Sequence, residues 1–351
     1  MENKKPLLTS RNTMLATVII LLLLATILTM GMLTPLIAKL ASGVEISLTP
    51  QYFNDRAALP TLALVLLLST CMLIGYNSRK NIALIVAGSA FISIVFAMIS
   101  PFGNTPMDIS VPILTVAIIA TFYKISRSLD PDISKAIKGT SAHLIHLGIL
   151  FILLGIVLSS NMKVEDSQVI TTGETAKFEG QSYEIMLRSM NSEYQGEPYK
   201  DKPASSYVTN IDFDVYKNGK IFKSGQIKYI TDFKWGQTYT TTYINRGITE
   251  ELFIAPRAID EKKGELDVYM RTVPFINFLW GGMYLMVIGI LMLGIVEYRS
   301  ESKSLASSTN TNFDKKNKNR NKPNAIKEDD KYERMLEKEL QKLRAKKDMK
   351  K

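Results

Sequence analysis

The chain has 351 residues, a net charge of +10, one cysteine and two histidines, and 46% of its residues are hydrophobic. The single Cys71 excludes an intrachain disulfide, a CxxC redox pair and a zinc site built from cysteines. Residues 297–351 hold 17 Lys and Arg against 10 Asp and Glu. Because this basic tail follows an apolar segment, we expect it to contact anionic lipid headgroups, and we expect no nucleic-acid partner.

Six segments are apolar enough to cross a membrane, and most approach the roughly 20 residues that a bilayer core requires. The fourth is short for a span. The six segments are residues 13–36, 59–76, 82–100, 109–123, 142–160 and 275–296.

The sequence therefore predicts a multi-pass α-helical membrane protein with four parts. Residues 1–160 form a membrane domain with five spans, and residues 274–297 form the final span. Between them, residues 161–273 form an extracytoplasmic β-rich domain. Residues 298–351 form a basic cytoplasmic tail that is partly disordered.

The loops predict the orientation in the cytoplasmic membrane of the cell. Basic residues occur before the first span, at Arg79 and Lys80, between the fourth and fifth spans, and in the tail. Because cytoplasmic loops are enriched in Lys and Arg, both termini are expected in the cytoplasm and residues 161–273 outside it.

The domain of residues 161–273 has the pattern of antiparallel strands. Apolar and polar residues alternate on both sides of Asn218-Gly219, which is a strong β-hairpin signal. Further alternating stretches turn at Gly180 and Gly247, and together they predict a small barrel or sandwich. The domain contains no histidine, GxSxG motif or phosphate loop. We interpret it as a binding platform and assign no catalytic residue.

The tail divides into two parts. Residues 300–325 are rich in Asn, Lys and Ser, which is typical of a disordered linker. An amphipathic helix is predicted after it, which could lie on the membrane, pair with another helix or stay solvated. Its apolar stripe is Tyr332, Met335, Leu336, Leu340 and Leu343.

His143 and His146 both lie in the fifth span, where their spacing of three places them on one helix face. An ionisable side chain in a bilayer is costly and by default faces a partner or a cavity. Four roles are open: structural hydrogen bonding, a proton relay, zinc binding and haem ligation. A relay lacks Asp or Glu inside the predicted spans, and a zinc site lacks further ligands.

In haem ligation, one neutral imidazole coordinates the iron from one face of the macrocycle, and a second axial ligand has to approach from the opposite face. Since His143 and His146 project from one helix face, this helix can supply only one axial ligand. A second histidine ligand would have to come from another chain, and one of the 16 methionines is the alternative.

The stretch "AHLIHLGILFILLGIVLSSN" resembles a late transmembrane segment of CcmF, the haem lyase of cytochrome c maturation. In that family a histidine followed by Leu-Gly is an axial ligand of a resident haem b. The matching residues are His146-Leu147-Gly148. The resemblance thus implies haem b as cofactor and His146 as its metal ligand. For His143, a cofactor-binding contact with a haem propionate and plain packing both stay open.

Three further stretches resemble the family in the same order: the end of the first span with its loop, a segment of the β domain, and the entry to the last span. Thr241 stands where the family has Glu, and Glu251-Leu252-Phe253 replaces Asp-Leu-Tyr. The matching residues are Gly31, Pro35, Leu36, residues 50–54, Thr240, Pro274, Trp280 and Gly282.

Other family features are absent from the sequence. Full-length CcmF proteins carry a tryptophan-rich WWD segment, two outward-facing histidines for incoming haem, and a second transmembrane histidine. This chain has only Trp235 and Trp280, far apart, and no histidine outside the fifth span. The resemblance therefore implies the carboxy-terminal half of a split CcmF, with the WWD segment on a separate amino-terminal chain.

The implied function is that of a membrane subunit of a haem lyase complex, which joins haem to the cysteine thiols of apocytochrome c. Expected partners are the amino-terminal CcmF-like chain, other cytochrome c maturation proteins, apocytochrome c, haem and the lipid membrane. Holocytochrome c synthase activity would belong to the assembly and not to this chain alone. The alternative is a cofactor-free permease or scaffold subunit with an extracytoplasmic binding domain, in which both histidines are packing residues.

Overall fold

The computed structural model describes residues 9–130 and 133–320. Within these ranges, six helices are long and apolar enough to cross a membrane, which confirms the predicted number of spans. A domain of nine strands lies between the fifth and sixth helices. In chain order the elements are α1 (Ser10–Ser42), α2 (Pro50–Leu73), α3 (Arg79–Ile99), α4 (Thr105–Ser128), α5 (Ile133–Asn161), β1 (Val164–Thr171), β2 (Thr175–Lys177), β3 (Tyr183–Gln195), β4 (Ser206–Lys217), β5 (Lys220–Asp232), β6 (Gln237–Thr240), β7 (Tyr243–Arg246), β8 (Glu250–Asp260), β9 (Glu265–Pro274) and α6 (Ile276–Arg320).

The fourth helix is longer than the short span that hydropathy predicts. The side chain of Asn104 accepts a hydrogen bond from the Met107 amide at 3.2 Å and caps the start of α4. Pro106 follows in the first turn, where its missing N–H is not needed. These polar and proline signals begin the helix before the apolar run, so α4 has 24 residues and is long enough to span.

A buried carboxylate lies in the first turn of α4, one residue before the predicted fourth span. Asp108 is fully buried in the first turn of α4. It accepts hydrogen bonds from the Ser100 hydroxyl at 2.7 Å and from the Phe102 amide at 3.0 Å. Asp108 therefore holds the turn between α3 and α4. It lies about 24 Å along α4 from Lys124, a neighbour of His143, so it offers the histidines no proton-relay partner.

The helices α2, α4 and α5 share an apolar cluster. Its buried members are Val65 of α2, Ile113, Leu114 and Ala117 of α4, and Leu150 of α5. Leu150 and Ala117 are completely shielded from solvent. This cluster fixes the rotation of α5 about its axis, and thereby the direction in which the remaining side chains of that helix face.

The β domain consists of two antiparallel sheets that enclose one apolar core, as in the predicted sandwich. The strand orders are β1-β9-β8-β7 and β2-β3-β4-β5-β6. Buried residues of both sheets, such as Phe213 of β4 and Val268 of β9, belong to one cluster. The predicted hairpin is confirmed, since Lys217 pairs with Lys220. Asn218 and Gly219 between them both have positive φ, as a tight two-residue turn requires.

A polar cluster links the two sheets at one edge of the core. The Tyr183 hydroxyl donates to Glu250 at 2.7 Å, and the Lys217 ammonium donates to Glu250 at 2.8 Å and to Tyr183 at 3.0 Å. Partial burial alone would raise the pKa of Glu250, but these hydrogen bonds outweigh it and the pKa lies below its ordinary value. The hydrogen bond that Lys217 donates to Glu250 stabilises the charged ammonium and raises the pKa of Lys217 above its ordinary value.

The tail differs in part from its prediction. The helix α6 continues to Arg320, so the first part of the predicted linker is helical in this structure. No glycine or proline occurs between Gly294 and Pro323, and adding residues to an existing helix costs far less than starting one. The predicted amphipathic helix around Leu336 lies outside the described residues.

Candidate functional site

The two histidines lie in the amino-terminal half of α5. From His146 to the end of the helix at Asn161, where the β domain begins, the distance is about 22 Å along the helix axis. His143, His146 and Leu150 are spaced three and four residues apart and therefore share one face. Because Leu150 packs into the cluster with α2 and α4, the histidines lie on the side of α5 that faces α4.

A cation of the neighbouring helix α4 lies near the imidazoles. Both side chains are partly buried, and Lys124 of α4 is close enough to His143 for an electrostatic interaction. The Nδ1 atoms of His143 and His146 are buried and have no hydrogen-bond partner among the described residues. The His146 ring nevertheless interacts with the backbone of Ala142 one turn earlier. The His143 Nδ1 thus lacks the hydrogen-bond partner that a buried structural histidine normally has.

The residues near His143 and His146 limit which of the four predicted roles the two histidines can have. Within the described ranges, no group of three or more His, Cys, Asp or Glu residues could hold a metal ion. This argues against a zinc site formed by these residues alone. A single neutral imidazole is sufficient for one side of a haem iron. The fit is best for His146, since a ligating histidine commonly donates its Nδ1 proton to a backbone carbonyl, and Ala142 provides one.

Glycines hold α5 against α6 on another side of the helix. A Cβ on Gly148 would lie 2.6 Å from the Gly282 carbonyl oxygen, and one on Gly282 would lie 2.5 Å from the Gly148 carbonyl oxygen. Further along, a Cβ on Gly289 would lie 2.9 Å from the Ser141 carbonyl oxygen, and Gly155 meets the Leu279 backbone equally closely. The two helix backbones therefore touch, as in other helix pairs with small residues at the interface. This contact positions the turn that carries His146.

Residues from separate stretches of the sequence that resemble CcmF are in contact in the structure. Gly31 of α1 faces the rings of Tyr52 and Phe53 of α2, and a Cβ on Gly31 would lie 2.6 Å from the Phe53 ring. Gly148, which follows the matched histidine, meets Gly282 of the last span. The matched glycines therefore mark places where helices pack too closely for any side chain.

Sequence reasoning missed Gly155 and Gly289 as parts of this contact. Their signal is the seven-residue spacing, Gly148 to Gly155 on α5 and Gly282 to Gly289 on α6. That spacing returns a residue to nearly the same helix face.

Comparison with known proteins finds two CcmF proteins that are similar to this chain. No family model matches the chain. The chain is 24% identical over 283 residues to the cytochrome c-type biogenesis protein CcmF of Pseudomonas aeruginosa, a match that covers 76% of this chain and 40% of that protein. A solved structure of the cytochrome c haem lyase CcmF matches with a TM-score of 0.63 at 12% identity. It covers 82% of this chain and 46% of the solved chain.

The chain is similar to CcmF proteins over most of its length. Its six long apolar helices make it a multi-pass membrane protein, and its fold is that of the solved CcmF structure. It spans less than half the length of the two CcmF proteins that it matches. This is consistent with the carboxy-terminal half that the sequence motifs predict.

Proposed function

We propose that this chain is a membrane subunit of a haem lyase complex, in which His146 is an axial ligand of a resident haem b. One observation carries the proposal. In a chain that is similar to CcmF over most of its length, the histidine of the His-Leu-Gly motif is partly buried on the face of α5 toward α4, with the Ala142 carbonyl one turn before it.

The haem would supply one-electron exchange at its iron. His146 would present Nε2 to the metal while its Nδ1 proton turns to the Ala142 carbonyl, which fixes the tautomer. Leu147 and Leu150 are buried on either side and exclude water from the ligand turn. His143 and Lys124 lie toward the amino-terminal end of α5, where a haem propionate would find two donors.

We propose that a second polypeptide completes the site. Because the histidines share one helix face, only one of them would hold the haem iron, and a further ligand would come from another part of the assembly. The chain also covers less than half of its CcmF relatives and has no WWD segment. We propose that a separate amino-terminal CcmF-like chain supplies the second ligand and the WWD segment, so that only the assembly joins haem to apocytochrome c.

The β domain is proposed to dock apocytochrome c or neighbouring maturation proteins. The positive-inside rule supports a location outside the cytoplasmic membrane, with both termini in the cytoplasm. This is the side on which the assembly would attach haem. Residues 161–273 contain no histidine and no nucleophile motif, which favours a docking role over catalysis.

The test is complementation in the host cell. Deletion of the chain should abolish covalent haem attachment to c-type cytochromes, measured by haem staining after denaturing electrophoresis. The wild-type chain and Ile149→Ala should restore the stain, because Ile149 is 39% exposed and lies on another face of α5. His146→Ala should not restore it at equal chain abundance. Full restoration by His146→Ala would contradict the ligand role and favour the cofactor-free scaffold.

A further inference from the structure

A cavity of about 820 Å³ lies where the membrane helices meet the β domain. It is bordered by α2, the first turns of α4, the end of α5, the start of α6 and strands β8 and β9. Its volume is within the range of small-molecule sites. Along α5 it lies at the end opposite to the histidines, so it is a separate feature from the proposed haem site.

The part of the cavity between the helices is apolar. Leu62 and Val65 of α2, Leu114 of α4, and Leu153 and Val157 of α5 line it. Toward the β domain the lining becomes charged. The cavity therefore matches an amphipathic ligand. The hydrocarbon part of such a ligand would lie among the helices and its polar part at the β domain.

Three of the four charged side chains that line the cavity are already paired within the chain. Asp55 accepts a hydrogen bond from Gln51, Lys163 pairs with Glu165 at 3.0 Å, and Glu251 pairs with Arg246 at 3.3 Å. The fourth is Arg271, whose Nε has no hydrogen-bond acceptor among the described residues.

Arg271 of β9 is partly buried, and its Nε has no acceptor among the described residues. Its guanidinium lies over the ring of Phe253, 4.9 Å from the centroid. Glu165 faces it across the strand pair, but that carboxylate already accepts from Lys163 at 3.0 Å and from Tyr269 at 2.7 Å. A buried Nε–H without an acceptor is costly, and a phosphate or carboxylate oxygen of a ligand would accept its hydrogen bond.

We infer that this cavity binds a phospholipid, with the phosphate at Arg271 and an acyl chain among α2, α4 and α5. The ends of the spanning helices place the cavity at headgroup depth, where phospholipid is the most abundant anionic amphiphile. The bound lipid would join the β domain to the membrane helices, because its two parts contact both.

Lipid retention in the purified full chain tests this inference. Phospholipid should remain bound through detergent washing of the wild-type chain, at one molecule per chain by mass spectrometry. Arg271→Gln should retain about tenfold less, because a charge-assisted pair is lost. Arg257→Gln is the matched control, since Arg257 is an exposed arginine of the neighbouring strand that stacks on Tyr269 and does not line the cavity.

A second variant distinguishes loss of lipid binding from misfolding of the Arg271 variant. Ala58→Trp fills the cavity from an exposed position on α2 and leaves Arg271 intact, and it should also lose the lipid. In a second assay, vesicles of dioleoylphosphatidylglycerol should raise the thermal midpoint of delipidated wild-type chain, whereas inorganic phosphate or haemin should not. Equal lipid retention in Arg271→Gln, or stabilisation by phosphate or haemin without bound lipid, would overturn the inference.

Discussion

The close contact between α5 and α6 can be tested with two adjacent glycines of α6, because their surroundings differ. A Cβ on Gly282 would lie 2.5 Å from the Gly148 carbonyl oxygen and 2.7 Å from the Ile152 amide nitrogen. A Cβ on Gly281 would have no heavy atom within 4 Å. Gly282→Ala therefore forces the helices apart, whereas Gly281→Ala places the same methyl group in open space.

The magnitude follows from the required movement. Ordinary van der Waals contact begins at 3.4 Å, so the methyl group of Gly282→Ala requires a separation of about 1 Å at the crossing. Overpacking of this kind costs about 1–3 kcal/mol. Both variants gain up to about 1 kcal/mol of helix propensity, so this gain cancels in their difference. We expect Gly282→Ala to be about 1–3 kcal/mol less stable than Gly281→Ala.

The assay is unfolding of each full-length variant in the same detergent, followed by circular dichroism. Gly281→Ala should unfold at or slightly above the wild-type midpoint, and Gly282→Ala below it. Since Gly148 lies two residues from His146, Gly282→Ala should also reduce haem retention in the assembled complex. Equal unfolding of the two variants would refute the close backbone contact.

Three further predictions concern polar contacts. Lys217→Met should destabilise the chain by about 1–2 kcal/mol, because Glu250 loses its cation, whereas Lys220→Met, in the exposed hairpin, should change little in the same unfolding assay. Because the pKa of Glu250 is lowered in the folded chain, its stabilisation is present above the ordinary carboxyl range and is lost as pH falls through the lowered value. Glu250→Gln should therefore flatten the acid side of a stability profile, and an unchanged profile would contradict the cluster. Asp108→Ala should cost about 1–3 kcal/mol, since the α3–α4 turn loses a buried acceptor, and a neutral result would contradict that role.

Features with local physical causes were predictable from the sequence. Apolar runs of sufficient length predicted the six spans, because the lipid core selects on length and hydropathy. Asn218-Gly219 predicted the hairpin, because both residues tolerate the positive φ that its turn needs. The shared face of His143 and His146 follows from helix geometry alone.

Features that depend on tertiary contacts were not predictable. The depth of Asp108 in α4 depends on the turn that it holds, and hydropathy does not register it. The role of Gly155 and Gly289 depends on which helices are neighbours, and the seven-residue spacing alone does not identify the partner helix. In the sequence, Arg271 is one of several charged residues on a strand with alternating polarity. Its place at the cavity depends on β1, β8 and the helices that surround it in the fold.

The most direct measurement is the absorption spectrum of the chain purified with its amino-terminal partner, in reduced and oxidised states. The ligand proposal predicts b-type haem bands in the wild-type complex and in Ile149→Ala, and their loss in His146→Ala. His143→Ala should retain the bands, because one helix face supplies one axial ligand. Bands of unchanged position and intensity in His146→Ala, or a wild-type complex without haem absorption, would contradict the account.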